Sequence, residues 1–258
     1  MPKDWYDIIS RGFDHPSIVL WRAVEMRSIE PFISRLPEPI LDLGCAEGKI
    51  GAQLFDGRSA HGLDNCWDLL RQNTRGHVYR SLVLGDACRM PYHDKAFGSV
   101  FSNCVIEHIP DLDVLLHEVR RVLKPQGTLL ISVPSDTFPA NLYFTRLFSA
   151  LRLRGFARRY AAWRNATLRH YHCYGHERWR EIFRAHGFEL LAQEYYLTQE
   201  ATSSWDFAAG LNVALRPFGF LASLRENINK KLTKRLKKYY NVSSKTGSGL
   251  VLLARAVS

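Results

Sequence analysis

The residues of this sequence that most clearly indicate a ligand site lie between Pro39 and Phe55, in the order Pro-Ile-Leu-Asp-Leu-Gly-Cys-Ala-Glu-Gly-Lys-Ile-Gly-Ala-Gln-Leu-Phe. They predict a buried strand (Ile40–Leu43), a tight turn of small residues (Gly44–Gly48) and the start of an amphipathic helix. Glycine permits positive φ and lets a ligand lie against bare backbone. A turn at the carboxyl end of a parallel strand is where such ligands bind. Lys49 stands where a dinucleotide fingerprint has its last glycine, which disfavours a pyrophosphate.

Predicted strands and helices alternate along the chain on both sides of this turn. Such an alternation forms a parallel sheet, and the turn would lie at the carboxyl edge of that sheet. A helix is predicted over Pro16–Arg35 and another over Asp111–Leu123, where apolar residues recur at helical spacing. Five strands are predicted in roughly the first half of the chain, at Ile40–Gly44, His61–Asp64, Ser81–Asp86, Val100–Val105 and Thr128–Val133. This rhythm indicates an α/β fold with a doubly wound, mostly parallel sheet.

The second half of the chain does not continue this regular alternation of strands and helices. A helix over Glu177–His186 and strands over Phe188–Leu197 and Gly249–Val257 are predicted. The interval between those two strands is far too long for a hairpin loop and must contain helices.

The Asp42–Gly48 segment closely resembles the first motif of class I S-adenosylmethionine (SAM) methyltransferases, usually Asp/Glu-x-Gly-x-Gly-x-Gly with the middle glycine often replaced. Asn103-Cys-Val-Ile-Glu-His-Ile-Pro and Glu118-Val-Arg-Arg-Val-Leu-Lys-Pro-Gln-Gly resemble later motifs of the same superfamily. In the small-molecule, methyltransferase type 11-like subfamily the second stretch ends Lys-Pro-Gly-Gly, and Gln126 replaces one glycine here. The resemblance covers roughly residues 36–197 and the final strand. It implies a seven-stranded sheet with the last strand antiparallel and helical elaborations after strand 5 and between strands 6 and 7.

The resemblance implies SAM as the cofactor and assigns its binding to the ends of the first four strands. Gly44–Gly48 would receive the methionine part, Asp64 the ribose hydroxyls and Asp86 the adenine amino group. The full implied set is Asp42, Gly44, Cys45, Ala46, Gly48, Asp64, Asn65, Asp86, Ala87, Asn103 and Val105. Structural alternatives stay open: Asp42 holding the turn's amides, Asp64 as a helix cap and Asp86 as a turn residue. Cys45 is expected to pack rather than react.

His108 is the best candidate for a general base, because it follows the fourth strand and an oxygen acceptor must lose a proton. Alternatively it caps the loop before Pro110 or packs under the cofactor. Substrate-side candidates are His172, His176 and Arg169, with solvated surface residues as the default interpretation. No metal site is expected, since no convincing set of ligands accompanies these histidines.

Two basic elaborations interrupt a predicted methyltransferase domain at 36–258, which follows an N-terminal helical cap at 1–35. The insert 137–176 has seven arginines, nine aromatic residues and no acidic residue. It suits an anionic amphiphile, a membrane surface or nucleic acid, or it is an ordinary helical subdomain. The insert 198–248 contains a basic amphipathic helix whose apolar positions are Leu221, Leu224, Ile228, Leu232 and Leu236. With the apolar segment Leu215–Leu221 before it, this helix suits an anionic membrane surface, or its apolar face packs on the domain.

The amino-acid composition limits the classes of binding partner but does not identify one. The formal net charge is +10, which favours an acidic partner. Five scattered cysteines, no signal region and no long apolar run predict a cytoplasmic protein, with a peripheral position on the inner membrane face left open. Methyl transfer to a small-molecule, lipid, lipid-linked or sugar-type acceptor is expected. The alternatives are an RNA methyltransferase and a non-catalytic SAM-binding scaffold. Nucleic acid is disfavoured because the fourth strand ends Ser-Asn-Cys-Val rather than Asn/Asp-Pro-Pro-Tyr/Phe. The sequence does not indicate an oligomeric state.

Overall fold

Seven strands form one sheet in the computed structural model, which describes residues 3–73, 78–217, 222–242 and 244–257. In chain order they are β1 (Ile40–Leu43), β2 (Ala60–Asp64), β3 (Tyr79–Leu84), β4 (Phe97–Asn103), β5 (Leu123–Pro134), β6 (Phe188–Tyr196) and β7 (Gly249–Ala256). The spatial order is β3-β2-β1-β4-β5-β7-β6. Neighbours from β3 to β5 pair in parallel. The prediction of a doubly wound, mostly parallel seven-stranded sheet with an antiparallel strand pair is confirmed.

Helices connect these strands and form both elaborations. Their bounds are α1 (Trp5–Gly12), α2 (Pro16–Ile33), α3 (Lys49–Leu54), α4 (Trp67–Asn73), α5 (Leu112–Val122), α6 (Phe138–Asn141), α7 (Tyr143–Ala150), α8 (Arg154–Leu168), α9 (His176–Ala185), α10 (Gln199–Leu215) and α11 (Ala222–Leu236), with 3-10 turns at Ile106–His108 and Lys237–Tyr239. The sequence analysis did not predict α1 and α4. Both are short, and α1 depends on Asp4, whose side chain accepts the amides of Tyr6 and Asp7.

The central strand β1 is buried along its whole length, as expected for a parallel strand covered on both faces. Strand β5 begins five residues before the predicted start at Thr128. Its pairing with β4 explains the difference, because Phe97 pairs with Leu123 and Ser99 already pairs with Thr128. The intervening residues therefore bulge out of the ladder. Gln126 in this bulge has φ +60°, the left-handed conformation that the glycine of the family motif adopts without strain.

The chain divides into two compact units. Unit 2 comprises residues 29–134, 171–194 and 250–258, and it contains most of the sheet. Unit 1 comprises residues 1–28, 135–170 and 195–249. Helix α1, most of α2 and the helices of both elaborations thus belong to the same unit, although they are far apart in sequence.

An aromatic cluster forms the core of unit 1. The ring of Trp21 lies 5.7 Å from that of Phe138, 6.0 Å from that of Tyr196 and 5.4 Å from that of Trp205. These four residues come from α2, α6, β6 and α10, so the cluster joins every segment of the unit. Edge-on and tilted ring pairs at such distances add stability beyond the area that they bury.

Two buried carboxylates fix the helices of unit 1 further. Asp206 of α10 is fully buried and accepts hydrogen bonds from Tyr160 Oη (2.8 and 3.0 Å) and from Arg164 Nε (3.0 Å). Glu25 of α2, also fully buried, accepts from Tyr196 Oη (2.8 Å) and Arg22 Nη1 (2.7 Å). A buried charge is tolerated only when it is paired in this way, and losing one partner is strongly destabilising.

The basic helix α11 is packed within unit 1. Its Leu236 is buried, Asn229 Oδ1 accepts from Asn212 Nδ2 of α10 (2.9 Å), and the Thr233 carbonyl accepts from Tyr6 Oη of α1 (2.5 Å). Leu224 remains half exposed, and Leu221, with the preceding Phe218-Gly-Phe, lies outside the described residues. The packed-face interpretation therefore holds for the end of the helix. Among the described helices, none is long and apolar enough to cross a bilayer.

Candidate cofactor site

The turn after β1 has the backbone conformation that its small residues predict. Gly44, Ala46 and Gly48 all have positive φ, at 81°, 46° and 76°. At Gly44 an added Cβ would lie 2.3 Å from a methyl carbon of Val105, and at Gly48 it would lie 2.4 Å from Asn73 Oδ1. Both glycines are thus required by conformation and by packing. Ala46, at the middle glycine of the motif, adopts the left-handed conformation at some energetic cost.

Four amides of this turn donate to acceptors inside the protein. Gly44 N and Cys45 N bond to Leu63 O (2.7 and 3.2 Å), Ala46 N to Asp64 Oδ2 (2.9 Å) and Gly48 N to Cys45 O (2.9 Å). A pyrophosphate would require these amides as donors. Because these amides are engaged inside the protein, the turn does not offer them to a pyrophosphate. The structure therefore fits SAM at this position better than a dinucleotide.

Asp64 ties the end of β2 to the turn. Its Oδ1 accepts from Cys66 N (2.8 Å) while its Oδ2 accepts from Ala46 N, so Asp64 bonds to the residue before α4 and closes a local turn rather than capping the helix. Each carboxylate oxygen can still accept a second bond, and its role towards the ribose hydroxyls remains a prediction. Asn65, the next residue, is exposed. The amide of Ala46 is held by Asp64 rather than by Asp42.

Asp42 is buried in β1, and its Oδ2 accepts a hydrogen bond from Tyr79 Oη. Burial, followed by the nearby charge of Asp64, raises the pKa of Asp42 to about 7, although the Tyr79 hydroxyl opposes this rise. Burial also raises the pKa of the Cys45 thiol, which therefore stays protonated. Its sulfur would lie 2.7 Å from a Cβ added at Gly62, consistent with the predicted packing role.

The parallel register brings the other predicted residues to the same edge of the sheet. Asp42 pairs with Gly62 of β2 and Phe101 of β4, and Asp64 pairs with Leu84 of β3. Asp86 follows two residues after that strand, is exposed and accepts from Cys88 N (2.8 Å) as a turn residue does. Ala87 lies in the same turn. Asn103 ends β4, and Val105 packs against Gly44.

Two residues that shape the turn were missed by the sequence analysis. Asn73, the last residue of α4, is buried and donates from Nδ2 to Ala46 O (2.9 Å). Tyr79, the first residue of β3, occupies the space beside Gly51, where an added Cβ would lie 1.9 Å from its hydroxyl oxygen. No signal in the sequence pointed to Asn73, because α4 itself was not predicted. Tyr79 lies two residues before the predicted start of its strand.

His108 lies in the 3-10 turn that follows β4, with its side chain 39% exposed. Its Nε2 is 3.8 Å from Oε1 of Glu107, whose side chain is buried.

The three substrate-side candidates have different surroundings. His172 is buried and lines a cavity of about 450 Å³ in unit 2 together with Pro110, Asp113 and Arg178. Its Nε2 lies 2.8 Å from Ile109 O and donates to it, so it holds the turn after His108. His176 begins α9, with Nε2 2.8 Å from Glu177 Oε1. Arg169 ends α8 in unit 1, is exposed and has φ +55°.

Comparisons with known proteins decide the family. A family model described as a methyltransferase domain matches residues 41–131. A protein of Encephalitozoon cuniculi that carries the name of a methyltransferase is 31% identical over 193 residues, which cover 72% of this chain and 86% of that protein. The chain belongs to the class I SAM-dependent methyltransferases. The predicted enzyme class and the SAM cofactor are thereby confirmed, and the scaffold interpretation is not supported.

Two further relatives act on named small molecules. Demethylmenaquinone methyltransferase of Thermotoga maritima is 28% identical over 130 residues, covering 49% of this chain and 55% of that protein. Malonyl-[acyl-carrier protein] O-methyltransferase of Methylovorus sp. is 29% identical over 144 residues, covering 48% of this chain and 49% of that protein. The chain thus spans about half the length of these two relatives. They support a methyltransferase of the small-molecule type.

Solved structures share the fold at low identity. The [4+2]-cyclase SpnF has a TM-score of 0.56 and 17% identity, covering 92% of this chain and 82% of that one. Phosphoethanolamine N-methyltransferase 2 of Haemonchus contortus, solved with SAM, has a TM-score of 0.54 and 19% identity, covering 85% of this chain and 48% of that one. These likenesses show the fold alone, which hosts more than one chemistry.

The raised pKa of Asp42 predicts a specific pH dependence of stability. Because the folded pKa of about 7 lies above the ordinary value of 3.8, the contribution of Asp42 to stability is fully present below that ordinary value and is lost as the pH rises through about 7. Asp42→Asn removes this loss. The gain in unfolding free energy of the variant over the wild type should grow between about pH 4 and pH 8, by at most about 4 kcal/mol.

Urea unfolding across this pH range measures the effect. Tyr79→Phe is the matched variant, because it removes the donor that favours the charged carboxylate and should extend the loss of stability to higher pH. Identical pH profiles for wild type and Asp42→Asn would contradict the account.

Proposed function

We propose that this enzyme transfers the methyl group of SAM to a lipid, lipid-linked or sugar-type small molecule. The observation that carries the proposal is the turn after β1, whose amides are engaged inside the protein and are therefore not offered to a pyrophosphate. SAM supplies a methyl group activated by a sulfonium. Since the acceptor attacks this methyl in line, the protein chiefly has to position the two reactants.

The residues at the sheet edge divide the cofactor between them in this proposal. Asp64 accepts from the ribose hydroxyls while it holds the Ala46 amide, and Asp86 with Ala87 meets the adenine. Asn103 and Val105 lie near the sulfonium. Asp42, Gly44, Cys45, Ala46 and Gly48 form the wall along the methionine part, and Asn65 stands at the rim. Asn73 acts as a positioning residue, because it binds the turn rather than the cofactor.

A cavity in unit 1 supports a lipid-type acceptor. It has a volume of about 460 Å³, and its wall combines aromatic and aliphatic side chains with three cations and one acid. The cationic side chains are Arg146, Arg235 and Lys238, and the apolar ones include Tyr143, Phe207 and Leu232. Such a lining matches an amphiphile with an apolar body and an anionic group. The relatives named for a quinone and for an acyl-carrier-protein substrate are consistent with acceptors of this size class.

Peripheral contact with an anionic membrane belongs to the same proposal. The formal charge of +10 favours such a surface. An enzyme bound at this surface could methylate a lipid acceptor while that acceptor stays in the membrane.

Methyl-labelled SAM tests the acceptor class. The protein is incubated with labelled SAM and with a lipid extract, a polar metabolite extract or total RNA from the same cells. Label should accumulate in the lipid fraction or, for a sugar-type acceptor, in the polar fraction. Label confined to RNA would overturn the proposal in favour of a nucleic-acid methyltransferase. Incorporation into none of the three would leave the proposed acceptor class without support and count against it.

His108 is proposed as the base that accepts the proton of an oxygen acceptor. His108→Ala should lower kcat by about 10²-fold or more, while the Kd for SAM changes little, because the side chain follows β4 and lies outside the turn. His172→Asn is the comparison variant, since it can keep a hydrogen bond to Ile109 O and should keep most of the activity. Full turnover by His108→Ala with the identified acceptor would exclude the role.

A further inference from the structure

The α7–α8 hairpin presents an apolar tip that the proposed chemistry does not use. We infer that residues 151–156, here called the hairpin tip, insert into the headgroup layer of an anionic phospholipid membrane. The inference rests on the proposed lipid-type function and identifies the surface by which unit 1 would meet the lipid. Of the two basic inserts that the sequence analysis considered for a membrane surface, it selects 137–176 over 198–248 and locates the contact at six residues.

Apolar side chains at the hairpin tip are exposed rather than packed. Leu151 is 59% exposed, Leu153 44% and Phe156 61%. All six residues of the tip are exposed, and an added Cβ at Gly155 would meet nothing within 4 Å. Three large apolar side chains so close together in solvent mark an interaction site.

Cations alternate with these apolar residues. Arg152 and Arg154 lie within the tip, and Arg158 and Arg159 follow it on α8, all exposed. Because no acidic residue occurs anywhere from Thr137 to His176, nothing in this stretch offsets their charge. Apolar side chains that enter the acyl boundary while arginines meet lipid phosphates are typical of interfacial elements.

A cavity beside the tip offers room for a phosphate headgroup. It has a volume of about 610 Å³ and lies among α6, α7 and α8. Arg154 and Arg158 line it together with the hydroxyl residues Thr145 and Ser149, and the remaining wall is made of small side chains such as Ala157 and Ala161. Guanidinium groups and hydroxyls are the donors that phosphate prefers.

The hairpin is held firmly behind its tip, so the tip is a fixed feature of unit 1. The ring of Tyr160 lies 6.5 Å from that of Phe148 and 5.3 Å from that of Phe144. Tyr160 and Arg164 both bind the buried Asp206. By contrast, α11 is bonded to α10 at Asn229 and to α1 at Thr233. Lys237, in the 3-10 turn that follows it, is paired with Asp4 (3.0 Å) and Asp7 (2.6 Å).

A membrane fits this surface better than a protein partner does. A stable protein interface takes about 20–30 residues from each side, whereas the tip has six. The arginines would also strengthen binding to RNA, but the leucines would add little to its affinity, because stacking on bases requires flat side chains.

Vesicle flotation with the full chain tests the inference. Vesicles are made of phosphatidylcholine alone or of an equal mixture of phosphatidylcholine and phosphatidylglycerol. The wild type should float with the mixed vesicles and much less with the neutral ones. Leu153→Ser with Phe156→Ser should reduce binding by about tenfold or more. Arg154→Gln and Arg158→Gln should each reduce it by about fivefold.

The matched control is Val213→Ser with Leu224→Ser, which removes two apolar side chains that are 69% and 50% exposed on α10 and α11. It should bind the mixed vesicles as the wild type does. Tip variants that bind like the wild type, or a control that loses binding equally, would overturn the inference. So would tip-dependent binding of RNA or tip-dependent self-association in place of flotation.

Two readouts keep this test separate from the proposed function and from misfolding. Thermal unfolding and SAM calorimetry should be unchanged in all four variants, since the altered residues are exposed in unit 1. A wild type without SAM binding would defeat the proposed function and leave the flotation result standing. In Phe156→Trp the emission of the added tryptophan, taken as a difference from wild type, should shift to the blue with mixed vesicles. An unshifted spectrum would contradict insertion.

Discussion

The carboxylate of Asp64 is the constraint on which the cofactor site depends. One of its oxygens holds the amide of Ala46 and the other the amide of Cys66, so the turns after β1 and β2 are fixed by a single side chain. Bonds from backbone amides to a carboxylate are among the stronger hydrogen bonds in proteins. They keep Ala46 in a left-handed conformation that alanine alone would disfavour. With its amides engaged, the turn does not offer the donors that a pyrophosphate requires.

Asn73 and Tyr79 complete this arrangement from the next two elements along the chain. Asn73 donates to the Ala46 carbonyl, while Asp64 accepts from the amide of the same residue. Tyr79 reaches the buried Asp42 and fills the space that Gly51 leaves. The turn is thus shaped by side chains from β1, β2, α4 and β3. Substituting Asn73 or Tyr79 is expected to change cofactor affinity through the shape of the turn, because both side chains bind other residues of the protein.

Much of the fold followed from the sequence because its signals are local. Strand β1 and the turn after it were placed correctly by the run Ile-Leu-Asp-Leu-Gly, and the helix at Pro16 began where proline suits a first turn. The bulge at Gln126 was not predicted, because the pairing of Phe97 with Leu123 is a tertiary property. The same holds for unit 1. No pattern in residues 1–35 shows that Trp21 packs against Phe138 and Trp205, since such contacts join segments more than a hundred residues apart.

SAM calorimetry on Asp64 variants tests the central claim most directly. Asp64→Ala removes both amide bonds and the expected ribose acceptor, and Asp64→Asn keeps one oxygen as an acceptor. Asp68→Ala is the control, because that carboxylate is exposed beside Arg71. The account predicts a wild-type protein that binds SAM, a loss of affinity of about tenfold or more in Asp64→Ala, a smaller loss in Asp64→Asn and none in Asp68→Ala. Equal affinity of Asp64→Ala and wild type, with both folded, would contradict it.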